Sequence, residues 1–427
     1  MKFKEWKEWY KSLPKGYKWF VWLILLRPLI DNFYYLKEIS PFLSPLYIVG
    51  LLTPIVIFYS VRTKKKPLQT DLDTNFRLWG GIVIAGIIFM AFTGIFTLPF
   101  WIVSLKISAP IYLFIFFRYF IRSRKDLDGV LQTFLYSSLV IICIFSYETV
   151  VHPLNMVHTR GIERYQGSYA DVFNYAIYVS FSTIINYYFL LSPHSTLSRT
   201  AKIRNVIINL VLATAMLIKM SHVATDVVFL AINGIYFLVA FRRNAASAII
   251  IVIVIAGIVY SYDAETIDNN IMPLIQTDVN VYAGEEDDAY YLHGRVGRWE
   301  RITGIFNESP LFCQLFGLPF TGANPYAFLT GGVHSDYLRN LICAGYVGLI
   351  IYLIFLYNLL RRILKHLSGM LYLGLATLSA LLLYSVSVTP TVYPSFLYIV
   401  MSIFAFFAIP KDVLVMSEKN KVTRLAA

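Results

Sequence analysis

The 427-residue chain is 57% hydrophobic and 15% charged, with a mean hydropathy of +0.62 and a formal net charge of +12. That balance excludes an ordinary soluble domain and marks an integral membrane protein. Apolar stretches long enough to cross about 30 Å of hydrocarbon recur along the whole length, without the alternating, turn-punctuated strands of an outer-membrane barrel, so an all-α polytopic bundle is expected.

The first 18 residues carry six lysines, and the apolar stretch after them holds Arg27, Pro28 and Asp31 instead of a small-residue cleavage site. No cleavable signal peptide is therefore expected. Twelve spans are expected, near residues 19–36, 42–60, 78–97, 99–117, 128–147, 169–190, 204–221, 224–241, 245–262, 336–360, 369–388 and 393–409. Lysines and arginines cluster in the N-terminal tail, in VRTKKKPLQTDLDTNFR, RYFIRSRKD, SRTAKIR, FRRN and RRILKH, and in the C-terminal tail. With twelve spans all of these fall on one side, which the positive-inside rule makes the cytoplasm, with both termini there. The net charge thus has a topological origin and requires no nucleic-acid partner. Residues 1–427 read as a single membrane domain with two large outer loops, 148–168 and 263–335.

Several signals have bland readings. Cys143, Cys313 and Cys343 form neither a disulfide framework nor a metal-ligand spacing. Asp-Leu-Asp occurs at 71–73 and at 126–128, in basic segments, and reads as solvated loop acids or helix caps. The acidic run 285–288 lacks the glycine-punctuated spacing of a calcium loop, and no metal site is expected. Arg27 and Asp31, four apart within the first span, are expected to neutralise each other inside the bundle. Lys106 and Lys219 are intramembrane cations with no evident partner.

The outer loops hold the chemistry. In HTRGIERYQGSYADVFNYA, Arg160 and Arg164 lie four apart and Gly167 with Ser168 precedes the next span, which places two guanidinium groups near a tight turn at the membrane surface. In LHGRVGRWERITGIFNESPLFCQLFGLPF, a helix would carry Trp299, Ile302 and Phe306 on one side and Arg295, Arg298 and Arg301 on another. Guanidinium stays charged and donates paired hydrogen bonds, which suits phosphate. Two readings fit: a ligand with an anionic head and an apolar tail, or simple anchoring to headgroups and loop acids. In GGVHSDYLRN, His334 can move a proton at neutral pH, with Asp336 or Asp226 to orient it or to carry the proton instead, or it is a hydrogen-bonded interfacial residue.

GRVGRWERITGIFNESPLFCQLFGLPF, followed by a Gly-rich stretch and HSDYLRNLICAGYVGLIIYLIFL, resembles the C-terminal region shared by bacterial O-antigen polymerases and O-antigen ligases. RGIERYQGSYADVFNYA is similar to that family's other arginine loop, on which Arg164, Gly167 and Asn174 match and Arg160 is a possible second arginine. The resemblance covers mainly residues 155–360. It implies a GT-C-like bundle of about twelve helices in the bacterial inner membrane, and a cofactor-free, metal-independent, inverting glycosyl transfer. Donor and acceptor would be polyprenyl-pyrophosphate-linked oligosaccharides, with membrane lipids, a flippase and a chain-length regulator as further partners. On that basis Arg164, Arg295 and His334 are the catalytic candidates, and Arg160, Arg298, Trp299, His222 and Asp336 the substrate contacts. The chain departs from the family at Ser221-His222, where many members carry Ser-Arg; His222 or Lys219 would take that arginine's place. A ligase, or a transporter or lipid flippase, are the rival expectations.

Overall fold

The computed structural model describes residues 1–40, 43–93, 98–159, 162–241, 272–285, 287, 291–321 and 333–410. Some helices begin at a short polar side chain, Thr70, Ser123, Ser198 or Ser335, that accepts a backbone N–H which no preceding turn satisfies. The first segment, α1 (Phe3–Ser12), lies against α7 (Arg124–Val150), held by Trp9 Nε1 on Asp126 Oδ1 at 3.2 Å and Trp6 Nε1 on Thr133 at 2.9 Å. Next come α2 (Lys15–Asn32), the short α3 (Leu36–Ile39), α4 (Pro45–Val61), α5 (Asp71–Phe92) and α6 (Leu98–Phe120). The expected span 78–97 begins seven residues earlier, at 71. Thr70 and Asp73 cap each other's backbone, with Asp73 Oδ2 accepting from Thr70 N at 2.9 Å.

Both Asp-Leu-Asp motifs are caps and neither is simply solvated. Asp73 is buried against Arg118 at 2.7 Å, and Asp126 Oδ2 accepts from Ser123, the N-cap of α7, at 2.8 Å. Asp128 accepts from the Tyr188 hydroxyl at 2.6 Å.

After α7 an antiparallel hairpin, β1 (Met156–Thr159) and β2 (Ile162–Tyr165), pairs Met156 with Tyr165 and Thr159 with Ile162. The sequence reading had only a loop here. Then follow α8 (Phe173–Leu191), α9 (Arg199–Met220) and α10 (Val223–Phe241). The expected span 245–262 lies outside the described residues. The described residues of the second large loop include α11 (Met272–Tyr282), α12 (Tyr291–Asn307) and α13 (Leu311–Phe316). The chain closes with α14 (Asp336–Ile363), α15 (Ser368–Ser387), a 3₁₀ turn at Pro390–Val392 and α16 (Pro394–Phe407).

Among the described residues, seven helices are long and apolar enough to cross a membrane, namely most of α6 together with α5, α7, α9, α10, α14 and α15. The chain is an all-α polytopic membrane protein. At its centre stands α16, in which every residue from Ser395 to Phe407 is buried, as expected of a helix that is apolar all round. Aromatic rings fill the space about it: Phe20 meets Phe116 at 4.2 Å and Tyr398 at 5.2 Å between centroids, and Tyr187 stacks on Tyr236 at 4.0 Å. Arg27 and Asp31 form the expected pair at 2.5 Å, joined by Ser395, which donates to Asp31 at 2.8 Å.

Helix α14 is not continuous. Gly345 in α14 has φ +65° and ψ −171°, outside helical geometry, and a Cβ there would stand 2.3 Å from the Leu315 backbone. Only glycine permits this conformation with α13 packed so close.

Candidate functional site

Arg164 sits on β2, opposite Val157. The loop that follows is fixed by a buried carboxylate on α7. Glu148 accepts from Gly167 N at 3.0 Å, from the Tyr175 hydroxyl at 2.6 Å and from Leu154 N at 3.2 Å. Gly167 has φ +63°, and a Cβ would stand 2.9 Å from the Tyr175 hydroxyl, so the expected tight turn is present and needs glycine. Glu148 was not singled out in the sequence, since its partner N–H groups lie up to 19 residues away. Beyond the turn, Asn174 donates to the Asp171 carbonyl at 3.2 Å. Asp171 itself accepts from Phe173 N at 3.0 Å and, through its other oxygen, from the Tyr393 hydroxyl at 2.8 Å.

The hairpin rests on the end of α9, where Lys219 lies over the Tyr165 ring at 5.3 Å, the partner that the sequence did not reveal. That helix ends at Ser221, which has φ +45°, and the chain turns straight into His222. The imidazole Nδ1 meets the Thr225 hydroxyl at 2.6 Å. His222 lies in the fields of Asp171, Arg164 and Arg295. Burial first, and then the two arginines, lower its pKa, while Asp171 opposes them.

α12 presents Ile302 and Phe306 to α14, in a small core with Leu318, Val333, Leu341 and Ile342. The expected division of this helix changes at one place. Arg295 precedes Trp299 by four residues, so it shares the stripe of Trp299, Ile302 and Phe306 and is half-buried, whereas Arg298 and Arg301 are exposed. Trp299, expected to contact substrate, donates its indole N–H to the Val333 carbonyl at 2.9 Å and so ties α12 to the residue before His334.

His334 has φ +48°, a left-handed conformation that costs a non-glycine residue about 1 kcal/mol or more and that occurs mostly where the surroundings impose it. Ser335 next to it caps α14 through Leu338 N at 3.5 Å. The half-buried ring hydrogen-bonds to none of the described residues. Its pKa is lowered by burial first, then by Arg295 and Arg298, with Asp171 acting in the opposite direction.

Asp336 does not orient this histidine. It is buried, and its oxygens accept from Thr391 N at 3.2 Å and the Thr391 hydroxyl at 3.0 Å and pair with Arg339 at 2.9 Å. It therefore clamps the start of α14 to the 390–392 turn. Asp226, the other expected partner, lies in the first turn of α10. The carboxylate whose charge reaches both His334 and His222 is Asp171. Nothing in its spacing from residues 222 and 334 announces this.

Arg164, Asp171, His222, Arg295 and His334 thus share one electrostatic neighbourhood, although they come from five separate places in the chain. Arg298 borders it through His334, and Arg160 lies outside the described residues. Two arginines and two imidazoles of lowered pKa, with the Asp171 carboxylate among them, form a site able to bind an anion and to accept a proton beside it. Among the described residues no group of three or more His, Cys, Asp or Glu side chains could hold a metal ion. No family model matches the chain, and no curated protein matches it.

Proposed function

We propose that the chain is a polymerase of polyprenyl-pyrophosphate-linked oligosaccharides, making O-antigen, capsule or exopolysaccharide on the outer face of the bacterial cytoplasmic membrane. The observation that carries this reading is that Arg295 and Asp171 act on both His222 and His334, with Arg164 beside His222, at one end of a membrane bundle. With the lysine-rich tail and loops in the cytoplasm, that end faces outward. Such a bundle of about twelve spans would be GT-C-like.

The lipid pyrophosphate is the leaving group. Arg164 and Arg295 hold it and stabilise the charge that grows as the sugar C1–O bond breaks. His334 takes the proton of the acceptor hydroxyl as that oxygen forms the new bond to C1. The electron pair of the broken bond leaves with the lipid pyrophosphate, and a single displacement inverts the anomeric centre. A base needs its lone pair, and the lowered pKa of His334 keeps the ring neutral at neutral pH. His222, also neutral, sits where it can donate an N–H to the pyrophosphate without adding charge. Asp171 moderates the positive field and is a positioning residue for both rings.

The test is direct. Purified protein is incubated with lipid-pyrophosphate-linked repeat units, and the products are resolved by length. A ladder of products is expected. Transfer to an added lipid A core alone would assign a ligase instead, and no consumption of the donor would overturn both.

A further inference from the structure

A cavity of about 300 Å³ lies between α2, α4 and α6, beneath the 390–392 turn. Leu51 and Trp101 at its rim are 52% and 44% exposed, so it opens on the flank of the bundle, not toward the loops. Its wall is mainly aliphatic and aromatic, yet Arg27, Lys37 and Lys106 all reach it. Asp31 neutralises Arg27, whose buried Nε still has no hydrogen-bond partner. Lys37 and Lys106 repel each other, and among the described residues neither meets a carboxylate; Lys37 lies 5.4 Å over the Tyr34 ring. Two cations without an anion in an apolar flank are expensive to keep unless something arrives to balance them.

The occupant that matches is an amphiphile from the bilayer whose head carries at least two negative charges. A phosphodiester lipid head carries one at the phosphate, whereas a pyrophosphate carries two or more. The cavity is also next to the site already described. Tyr393 lines it and donates to Asp171, and Asn174 lines it and donates to the Asp171 carbonyl. One layer of side chains separates the two.

We propose that this cavity binds the pyrophosphate head and first isoprene units of a second polyprenyl-linked saccharide, beside the one held by Arg164 and Arg295. The choice of an isoprenoid rests on the polymerase reading, which needs two lipid-linked substrates at once. The charge and the apolar wall do not depend on it.

The test is binding of a long-chain polyprenyl pyrophosphate to the full-length protein in nanodiscs, read as bound equivalents and affinity. Wild type should take two equivalents. The Lys37→Met/Lys106→Met variant should take one, and each single change should weaken the second equivalent about tenfold or more. Methionine keeps the length of the side chain and removes only the charge of two residues that are not buried, so folding is preserved, and Lys106→Arg should retain binding. Arg164→Ala/Arg295→Ala should lose the other equivalent. Two equivalents at wild-type affinity in the double lysine variant, or only one in wild type, would overturn the proposal. Displacement of the second equivalent by phosphatidylglycerol at equal concentration would make the cavity a phospholipid anchor, and equal affinity for inorganic pyrophosphate would show that the lipid tail is not recognised; either overturns it. Two equivalents bound without turnover of any lipid-linked sugar would end the polymerase reading and leave the cavity assignment standing.

Discussion

The two ends of the bundle treat their cations differently. At the end without the hairpin, Arg118 is buried and satisfied by Asp73 at 2.7 and 2.9 Å and by the Leu68 carbonyl at 2.9 Å. Nearby, Arg362 pairs with Asp71 at 2.5 Å, and Arg124 donates to Ser192 at 2.7 Å. These arginines hold the fold together with acceptors supplied by the chain itself. At the hairpin end, burial and then Arg295 lower the pKa of both His222 and His334, Arg164 acts on His222, and Lys37 and Lys106 line one cavity. The fold closes its own charge around Arg118, whereas at the hairpin end cations act on imidazoles in a site able to receive an anion.

Substitutions should separate the two ends by what they damage. His334→Ala should lower turnover by about 10²–10⁴ with folding intact, the usual contribution of a positioned general base. Wild-type turnover in the lipid-linked assay would end that assignment. Arg295→Ala should cost about 10²–10³ in turnover by removing charge stabilisation from the leaving pyrophosphate. At the other end, Asp73→Ala leaves Arg118 buried without its counter-charge and should destabilise by about 3–5 kcal/mol. The melting temperature should drop sharply while the folded fraction keeps its substrate affinity; an unchanged melting temperature would contradict the structural role. Trp299→Phe removes one hydrogen bond to the Val333 carbonyl and should slow turnover more than it raises KM, with a stability loss of about 1 kcal/mol.

The smallest effect concerns pH. The folded pKa of His334 lies below its ordinary 6.5, so kcat/KM should fall on the acid side with a midpoint below 6.5, as the base takes up a proton. Arg298 contributes to that lowering, so Arg298→Gln should move the midpoint upward. The same sign governs stability. A histidine depressed in the folded state loses stability as pH falls below its unfolded value near 6.5, because the unfolded chain binds the proton first.

Much of this arrangement was legible in the amino-acid order. Apolar length marked the helices, and the outer loops stood out because their arginines had no topological explanation. Two kinds of information were hidden. The phase of α12 was present in the spacing, but grouping Arg295, Arg298 and Arg301 by their interval of three obscured that Arg295 is also four before Trp299 and therefore turns inward. Long-range pairings were not written in any local pattern. Asp336 stands two residues from His334 yet serves Thr391, while Asp171 reaches that histidine from 163 positions away. The start of α5 was misplaced for a simpler reason: Thr70 and Asp73 form a reciprocal cap within a stretch so polar that apolar length alone could not include it.

The break at Gly345 has a mechanical meaning. A continuous helix transmits a push along its axis through an unbroken ladder of hydrogen bonds, and α14 lacks that ladder at one point. Its first nine residues, clamped by Asp336 to the 390–392 turn and tied through Val333 to α12, form a stub coupled sideways to the hairpin end. The remaining rod belongs to the membrane core. A displacement of α12 or of the 390–392 turn is therefore passed to the stub without having to bend the rod.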